Sequence, residues 1–341
     1  MNAVNPSVAI IGAGNIATTV HIPVLKRLGA HITHVIDPSE AALEKARRII
    51  PGVLTGTKIE DLADGVQFAI VSSPNIFHPK QVRFLLNRSV HVLCEKPLAP
   101  TGEEAHQLLA LAKEKNCTLQ TGYYRRYHAA AQELRRLIDD KTYGSLQKIE
   151  LLAGGVMNGL PAGVMRKEFS GGGCLIDLGT HMLDALLLWL GDCTIDNYAD
   201  DQNGGIEANA ILMATSTSGI PATLILSRTN DLGFQAMFQF EHALIRYELN
   251  NGHVLTFISD HEQPLKNGQP YSAIHQLDVP RDSFYYFGLQ WKEFANRAGG
   301  APAVIAHDAQ SARVCELVAE CYQRRQPLSF TWESIFKVTR P

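Results

Sequence analysis

The sequence predicts an α/β fold in two parts: a doubly wound parallel sheet at the N-terminus, followed by a part that is richer in antiparallel strands. Three observations lead to this prediction. Short apolar strands alternate with helical patterns over the first 121 residues, a glycine-rich turn follows the first strand, and β-rich runs follow residue 146. We place the domain boundary after residue 125, which gives domains of residues 1–125 and 126–341.

Composition and charge narrow the class of protein. The 341 residues suffice for two domains that each have a core, and 45% hydrophobic with 19% charged residues is typical of a soluble globular protein. A net charge of -3 gives no electrostatic reason to expect nucleic acid or an anionic membrane as a partner. We therefore expect a small molecule as the ligand.

The compartment is predicted from what the sequence lacks. Its six cysteines are scattered without a CxxC pair, the first residues carry no basic segment, and no apolar run approaches the length of a membrane span. Its 13 histidines include no HExxH pattern, so no metal site is predicted. These features indicate a cytoplasmic protein.

The first predicted strand, Val8–Ile11, leads directly into the sequence GAGNIA, which fits the pattern GxGxxA. Gly12 permits the tight turn, Gly14 lets a pyrophosphate approach the backbone, and the small Ala17 lets the next helix pack closely. The helix would begin near Ile16 and offer its first amides to the pyrophosphate. A strand, a turn and a helix in this order predict a dinucleotide site.

Asp37 follows the second predicted strand, Ile32–Ile36, at the separation expected of the carboxylate that binds the adenosine ribose. Its charge would repel a 2′-phosphate, so NAD is favoured over NADP. The same aspartate, with Ser39, also fits a cap for the helix Glu40–Ile50. The two roles are compatible.

The alternation continues up to residue 121, and in such sheets ligands bind beyond the carboxyl ends of the strands. Two loops fall there: Ser73–His78, and Glu95 with Lys96 and Pro97. A lysine at this rim can polarise a carbonyl or stabilise an alkoxide, although a Glu-Lys pair in front of a helix is also an ordinary surface feature. The predicted elements are strands 66–71, 90–94 and 118–121 and helices 76–87 and 101–116.

A glycine-rich stretch, Gly171–Gly173, precedes an apolar helix that runs to Leu190. Asp177 and His181 are four residues apart, which places both on one face of a regular helix. A carboxylate beneath an imidazole is an acid/base arrangement, while a buried helix with a hydrogen-bonded core histidine remains the alternative. The glycines would let the start of the helix lie close to a ligand.

The remaining chain shows strands separated by turns, and Asn251 with Gly252 is a strong hairpin signal. Alternation of apolar and polar residues from Ile245 to Leu249 is typical of an antiparallel strand with one packed face. The predicted strands are 146–153, 208–217, 222–228, 235–241, 243–249, 253–259 and 328–330, and the helices are 128–138, 287–297 and 308–323.

Five motifs, taken in order, resemble the Gfo/Idh/MocA oxidoreductases, a family that includes glucose-fructose oxidoreductase, inositol dehydrogenases and sugar 3-ketoreductases. They are GAGNIA, SPNxFH, CEKP, GYYRRY and GGGCLIDLGTHMLD. The resemblance implies a Rossmann domain followed by a domain with a large, open, mainly antiparallel sheet. In the family the outer face of that sheet often forms subunit contacts, so a homodimer or homotetramer is expected.

The resemblance also assigns residues. It implies Lys96, Asp177 and His181 as the catalytic set, which would also contact substrate. The loop that often carries a Trp-Arg pair has only Arg166 here, so the shape of the substrate pocket is open, and Tyr124 and Asn158 are further expected substrate contacts. The implied cofactor residues are Gly12, Gly14, Asn15, Ile16, Asp37, Ser73, Pro74, Asn75, His78, Glu95, Lys96 and Arg126.

The function implied is a reversible hydride transfer between nicotinamide and a secondary alcohol or ketone of a sugar, cyclitol or related polyol. His181 would move the hydroxyl proton, Asp177 would orient His181, and Lys96 would stabilise charge on the reacting oxygen. Three alternatives stay open: a glycosidase that retains NAD and oxidises transiently, a non-enzymatic sugar or nucleotide sensor, and an enzyme that reduces a non-sugar such as a dihydrodiol or a tetrapyrrole.

Overall fold

The computed structural model describes residues 6–156, 167–202, 206–260, 273–280 and 282–329. The first part of the chain forms a six-stranded parallel sheet. Its strands are β1 (Ser7–Ile11), β2 (His31–Ile36), β3 (Leu54–Gly56), β4 (Phe68–Val71), β5 (His91–Cys94) and β6 (Leu119–Thr121). Their order across the sheet is β3-β2-β1-β4-β5-β6. The order reverses between β1 and β4, and in sheets of this kind the ligand crevice opens at that point.

Helices cover both faces of this sheet, which is why Val8 to Ile11 of β1 are all buried. The capping residues anticipated from the sequence are in place, since the Ser39 hydroxyl accepts from the amide of Ala42 and the Thr101 hydroxyl from the amide of Glu104. The helices are α1 (Ile22–Arg27), preceded by a π-helical turn (Ala17–His21), α2 (Glu40–Ile49), α3 (His78–Asn87) and α4 (Gly102–Glu114).

Within the described residues, the second sheet has nine strands. They are β7 (Leu146–Gly154), β8 (Cys193–Asp200), β9 (Asn209–Ser216), β10 (Pro221–Ser227), β11 (Gly233–Phe240), β12 (Ala243–Glu248), β13 (Val254–Asp260), β14 (Ala273–Gln276) and β15 (Gln326–Pro327). Their order is β14-β13-β12-β11-β7-β10-β9-β8-β15, and all pairings are antiparallel except β7 with β10 and β8 with β15. The predicted hairpin around Asn251 and Gly252 joins β12 to β13. The predicted fold class is confirmed.

Three strands were not anticipated. β3 has three residues at the edge of its sheet and Leu54 is 58% exposed, so it lacks the apolar run that marks a strand. β8 and β14 carry many polar side chains, and β14 lies at the other sheet's edge. The strand predicted at 328–330 is not found at those positions: β15 is Gln326–Pro327, residues 328 and 329 are not in a strand, and residue 330 lies outside the described residues.

The later helices divide between the two sheets. They are α5 (Ala129–Asp139), α6 (Lys167–Ser170), α7 (Thr180–Leu190), preceded by a π-helical turn (Leu175–Gly179), α8 (Ser283–Ala298) and α9 (Asp308–Gln323). α5, α7 and α9 share a core with the nine-stranded sheet. α8 instead packs Trp291 and Phe294 against Phe68 of the first sheet. Part of the second predicted domain, residues 126–341, thus contributes to the core of the first sheet. The boundary after residue 125 stays a prediction.

Within the described ranges, one helical stretch of 23 residues, Glu168–Leu190, has the length and mean hydropathy of a membrane span, and 78% of its apolar window is buried inside the protein. This burial accounts for its composition, since Met182, Leu183 and Leu186 lie in the core of the second sheet. All six cysteines belong to the described residues and are free thiols. In the same part of the chain, no group of three His, Cys, Asp or Glu side chains is placed to hold a metal ion.

Candidate active site

A cleft of about 650 Å³ opens at the carboxyl end of the first sheet, between the cofactor loops anticipated from the sequence and the helical segment that contains Asp177 and His181. Its size suits a small organic ligand. Most of the predicted site residues that the structure describes line this cleft: Gly14, Asn15, Ile16, Ser73, Pro74, Asn75, Glu95, Lys96, Tyr124, Asp177 and His181. Asn158 and Arg166 lie outside the described residues.

In the turn after β1, Gly12 and Gly14 are explained by two different structural requirements. Gly12 has φ +92°, and a Cβ there would lie 2.5 Å from the amide nitrogen of Ser73, so this residue lets two loops meet. A Cβ on Gly14 would have no protein atom within 4 Å. Gly14 instead faces the open cleft, where a missing side chain leaves room for a pyrophosphate against the backbone. The residues present therefore fit a dinucleotide.

Asp37 lies beside this turn at the end of β2. Its Oδ2 accepts a hydrogen bond from the amide of Ala13 at 2.7 Å, and its Oδ1 accepts one from the amide of Ser39 at 2.8 Å. The carboxylate thus braces the glycine turn and the start of α2. The contact with a ribose stays a prediction.

His78 is buried and lies behind the cofactor loops, outside the lining of the cleft. Its Nδ1 lies 2.8 Å from the carbonyl oxygen of Pro97, and its Nε2 lies 2.9 Å from that of Ser73. Burial lowers the pKa of His78, which favours the neutral ring. Both ring nitrogens face these two loops, so His78 braces them, which differs from the direct cofactor contact expected of it.

Glu95 and His21 form a buried pair at the floor of the cleft. His21 Nε2 lies 2.8 Å from Glu95 Oε1, while Glu95 Oε2 accepts from the amide of Lys96 at 3.3 Å. Burial alone raises the pKa of Glu95, but the contact with His21, aided by Lys96, brings it below its ordinary value. The Lys96–Pro97 peptide is cis. His21 was not anticipated from the sequence, because its partner Glu95 is 74 residues away.

Lys96 reaches across the cleft to the helical segment. Its Nζ donates to the carbonyl oxygen of Asp177 at 2.8 Å and lies 3.5 Å from the Oδ1 atom of that residue. Burial lowers the pKa of Lys96 to about 8, Glu95 opposes this shift, and the cations Arg125 and Arg228 add to it. The ammonium therefore loses its proton more readily than that of an ordinary lysine.

Asp177 does not orient His181, and this prediction was wrong. The Oδ2 atom of Asp177 pairs with the guanidinium of Arg228, and among the described residues the buried Nδ1 of His181 has no hydrogen-bond partner. The competing partner comes from a distant part of the chain, since Arg228 directly follows β10 and reaches the carboxylate of Asp177. A spacing of four residues cannot reveal such a partner.

His181 lies in an aromatic environment. The rings of Tyr123 and Tyr124 approach it edge-on, with centroids 6.3 Å and 6.0 Å away. Burial lowers the pKa of His181 well below its ordinary value, and the nearby cations Lys96 and Arg125 lower it further. The imidazole is therefore neutral at pH 7, and a neutral imidazole can accept a proton.

Arg228 and Phe287 are among the residues of the cleft that were not predicted as site residues from the sequence. Arg228 directly follows the buried strand β10, just as Lys96 follows closely on β5, so the same signal of a charge at the end of a buried strand would have found it. Phe287 stacks on Tyr124 with centroids 4.1 Å apart. It comes from α8, and nothing in its local sequence marks it.

Arg126, expected near the nicotinamide or substrate, is buried away from the cleft. Its Nε lies 2.8 Å and 2.9 Å from the two carboxylate oxygens of Asp184, and its Nη2 lies 2.7 Å from Oδ1. Burial raises the pKa of Asp184 to about 6, although Arg126 opposes the shift. The expected cofactor contact of Arg126 is therefore corrected to a buried ion pair, because Asp184 occupies its guanidinium.

Comparison with protein families agrees with this architecture. The model of an oxidoreductase family with an NAD-binding Rossmann fold, GFO_IDH_MocA, matches residues 7–123, and that of the GFO/IDH/MocA C-terminal domain matches residues 131–245. The chain belongs to the GFO/IDH/MocA oxidoreductase family. The resemblance seen in the five motifs is thereby confirmed.

Two relatives of this chain are dehydrogenases of a sugar derivative and of a cyclitol. D-glucoside 3-dehydrogenase of Escherichia coli (strain K12) is 34% identical over 194 residues, which are 54% of this chain and 54% of that protein. Inositol 2-dehydrogenase of Corynebacterium glutamicum (strain R) is 31% identical over 144 residues, which are 41% of this chain and 42% of that protein. The matched regions thus span about half of these relatives or less.

Solved structures share the whole fold at low sequence identity. Levoglucosan dehydrogenase, in complex with NADH and levoglucosan, has a TM-score of 0.82 and 15% identity, covering 94% of this chain and 97% of that chain. KijD10, a 3-ketoreductase from Actinomadura kijaniata in complex with NADP and TDP-benzene, has a TM-score of 0.82 and 17% identity, covering 96% and 99%. At these identities the likeness establishes the fold.

Proposed function

We propose that this protein is an NAD(H)-dependent oxidoreductase that interconverts a secondary alcohol and a ketone on a sugar, cyclitol or related polyol. The observation that carries the proposal is the meeting of Lys96, Asp177 and His181 in one cleft beside the glycine turn. Both the dinucleotide loops and the acid/base groups are needed for such a reaction, and the chain brings them together from loops of the first sheet and from the helical segment that contains Asp177 and His181. Similarity to a D-glucoside 3-dehydrogenase, an inositol 2-dehydrogenase and a levoglucosan dehydrogenase supports the substrate class.

When bound, the nicotinamide ring supplies the hydride acceptor for oxidation and the hydride donor for reduction. The residues of this chain handle the proton and the charge on oxygen. His181, neutral because burial and neighbouring cations lower its pKa, accepts the hydroxyl proton in oxidation. Lys96, while protonated, donates a hydrogen bond to the same oxygen and stabilises its developing negative charge.

The role of Asp177 differs from the predicted one, which was to orient His181. Its carboxylate lies between the ammonium of Lys96 and the guanidinium of Arg228, so it holds two cations at the side of the cleft. Fixed charges of this kind stabilise a transition state because they need no reorganisation during the reaction. The stack of Tyr124 on Phe287 supplies an apolar wall against which a sugar ring can lie.

We further propose NAD as the preferred cofactor, a homo-oligomer as the assembly and the cytoplasm as the compartment. The carboxylate of Asp37 beside the glycine turn supports NAD, since it would repel the 2′-phosphate of NADP. Relatives bind either form: NADH in levoglucosan dehydrogenase and NADP in KijD10. The six free cysteines are consistent with a reducing compartment.

The test is an assay of the purified protein with NAD or NADP and a panel of sugars, inositols and keto-sugars, followed by nicotinamide absorbance. We expect turnover with NAD and at least one polyol. In the Lys96→Ala variant, turnover should fall by about 10²–10³-fold while NADH binding is retained. Hydrolysis of a glycoside without net NADH formation would instead identify the retaining glycosidase, and unchanged turnover in Lys96→Ala would contradict the assignment.

A further inference from the structure

A buried carboxylate lies at the start of the helical segment that carries Asp177 and His181, outside the lining of the cleft. It belongs to Glu207, which is only 1% exposed and precedes β9. Its Oε1 accepts hydrogen bonds from the amide of Gly173 at 2.9 Å and from the amide of Leu175 at 3.2 Å. The amide between them, that of Cys174, donates to the carbonyl oxygen of Glu207 at 2.9 Å.

These three consecutive amides lie at the start of a helical segment, where backbone amides have no hydrogen-bond partner within the helix. The first amides of a helix have no carbonyl one turn earlier, and an unsatisfied buried amide is costly. Here a single residue from a distant part of the chain satisfies them. The link to the proposed site is direct, because the carbonyl oxygen of Gly173 in turn accepts from the amide of Asp177 at 3.1 Å.

The glycines of this turn are explained by the same contact. A Cβ on Gly173 would lie 1.9 Å from the carbonyl oxygen of Glu207, and a Cβ on Gly172 would lie 2.0 Å from the hydroxyl of Tyr322. That hydroxyl donates to Glu207 Oε1 at 2.8 Å. The glycine turn thus packs against Glu207 and Tyr322, whereas the sequence suggested a close approach to a ligand.

Arg325 completes the arrangement. Its Nη2 lies 3.5 Å from Glu207 Oε2, and its Nε lies 2.6 Å from the Oδ2 atom of Asp200. A buried carboxylate is tolerated when it is paired and hydrogen-bonded, and Glu207 meets both conditions. The carboxylate is therefore held from one side by Arg325 and holds the helix start on the other.

We infer that Glu207 is a positioning residue for the proposed oxidoreductase reaction: by fixing the amides of Gly173, Cys174 and Leu175, it sets where Asp177 and His181 lie relative to Lys96. The inference rests on the proposed function. Misplacement of a reacting group by about 1 Å costs on the order of 10²-fold in rate. Glu207 acts through the backbone and does not line the cleft, so its loss should affect turnover more than binding.

The test compares Glu207→Ala, which removes the acceptor, with Glu207→Gln, which keeps a side-chain oxygen within reach of the same amides. We expect kcat to fall about 100-fold in Glu207→Ala, with KM and the NADH dissociation constant within about threefold of wild type. In Glu207→Gln, kcat should retain most of its wild-type value. If Glu207→Ala does not fold, Glu207→Asp tests the inference instead. Its shorter side chain keeps the charge but moves the carboxylate oxygen away from the amides, so kcat should fall at least tenfold.

The matched control is Glu293→Ala. Glu293 also accepts from three backbone amides, those of Val304, Ile305 and Ala306 at 2.8, 3.0 and 3.0 Å, but it lies away from the cleft. This variant should lose thermal stability and keep kcat. An equal loss of kcat in Glu293→Ala and Glu207→Ala, or an unchanged kcat in Glu207→Asp, would overturn the inference.

A readout without substrate separates this inference from the proposed function. In hydrogen exchange, the amides of residues 173–181 should be less protected in Glu207→Ala than in the wild type, and equally protected in Glu293→Ala and the wild type. Unchanged protection in Glu207→Ala would overturn the positioning role. If no polyol is turned over by the wild type, the proposed function fails, while the exchange result still decides whether Glu207 holds the helix start.

Discussion

The carboxylate of Asp177 pairs with the guanidinium of Arg228, a residue 51 positions further along the chain, while the buried Nδ1 of His181 has no hydrogen-bond partner among the described residues. Lys96 contacts the other carboxylate oxygen at 3.5 Å. Two cations thus share one anion beside the cleft. Since each cation makes the protonated state of the other less favourable, Arg228 contributes to the low pKa of Lys96.

Replacement of Arg228 by methionine should therefore change the pH dependence of the reaction. Arg228 lowers the pKa of Lys96, so its removal raises that pKa, and Lys96 stays protonated to higher pH. Since the protonated ammonium is the form that donates to the reacting oxygen, we expect kcat/KM of the wild type to decline above a midpoint near 8. In Arg228→Met this midpoint should move to higher pH.

The control for this experiment is Arg136→Met, on the exposed surface of α5, where the guanidinium is 54% exposed and pairs with Glu133 and Asp140. Its pH profile should match that of the wild type. A midpoint that stays in place or moves down in Arg228→Met would show that Arg228 does not act on Lys96.

His181 should be required for turnover without imposing an acid limit near its ordinary pKa. Burial and the nearby cations lower its pKa well below 6.5, so the ring stays neutral and able to accept a proton at pH 6. We expect His181→Ala to lower kcat by about 10²–10⁴-fold and to leave the NADH dissociation constant unchanged. His106→Ala is the control, because His106 lies on the surface beside Glu316. A kcat within threefold of wild type in His181→Ala would contradict its role.

The parts of the site that depend on short stretches of chain were predictable. GAGNIA, the helix caps at Ser39 and Thr101, and the delivery of Lys96 to the rim each follow from a strand and the few residues after it. Neighbouring residues determine the backbone there, so local sequence contains the information.

The contacts that the sequence did not reveal join distant segments. The pairing of Asp177 with Arg228 requires β10 to end beside the helical segment, which no local pattern reveals. Arg126 sits in a motif associated with the cofactor, yet its guanidinium is taken by Asp184 from the facing helix. Tertiary packing, and not the motif, decides where such a side chain points.

Arg126 should therefore matter for stability and not for cofactor binding. Its partner Asp184 is buried, and removal of one member of a buried ion pair leaves an uncompensated group that costs about 3–5 kcal/mol. We expect Arg126→Met to lower the free energy of unfolding by this order, measured by urea denaturation. The NADH dissociation constant of the folded variant should equal that of the wild type.

A double variant separates the ion pair from other effects of the substitution. Replacement of a whole buried pair by apolar residues is often neutral, so Arg126→Met with Asp184→Leu should recover most of the lost stability. A tenfold weaker affinity for NADH in Arg126→Met, with little loss of stability, would restore the cofactor role that the motif suggested.

Asp37 should control the choice between NAD and NADP. Its carboxylate braces the glycine turn through Ala13 and α2 through Ser39, so alanine would disturb the backbone as well as the charge. Asp37→Asn keeps one oxygen acceptor and removes the negative charge, which isolates the electrostatic effect on a 2′-phosphate. The ratio of kcat/KM with NADP to that with NAD should rise at least about tenfold, corresponding to ~1.4 kcal/mol.

The matched control for Asp37 is Asp61→Asn, because Asp61 also accepts from two backbone amides, those of Thr57 and Lys58 at 2.8 and 2.9 Å, outside the cleft. Its substitution should leave the cofactor ratio unchanged. If the ratio in Asp37→Asn also stays at the wild-type value, the carboxylate does not face the ribose, and its function is limited to bracing the turn. A wild-type preference for NADP would lead to the same conclusion, since a carboxylate next to the 2′-phosphate would oppose that binding.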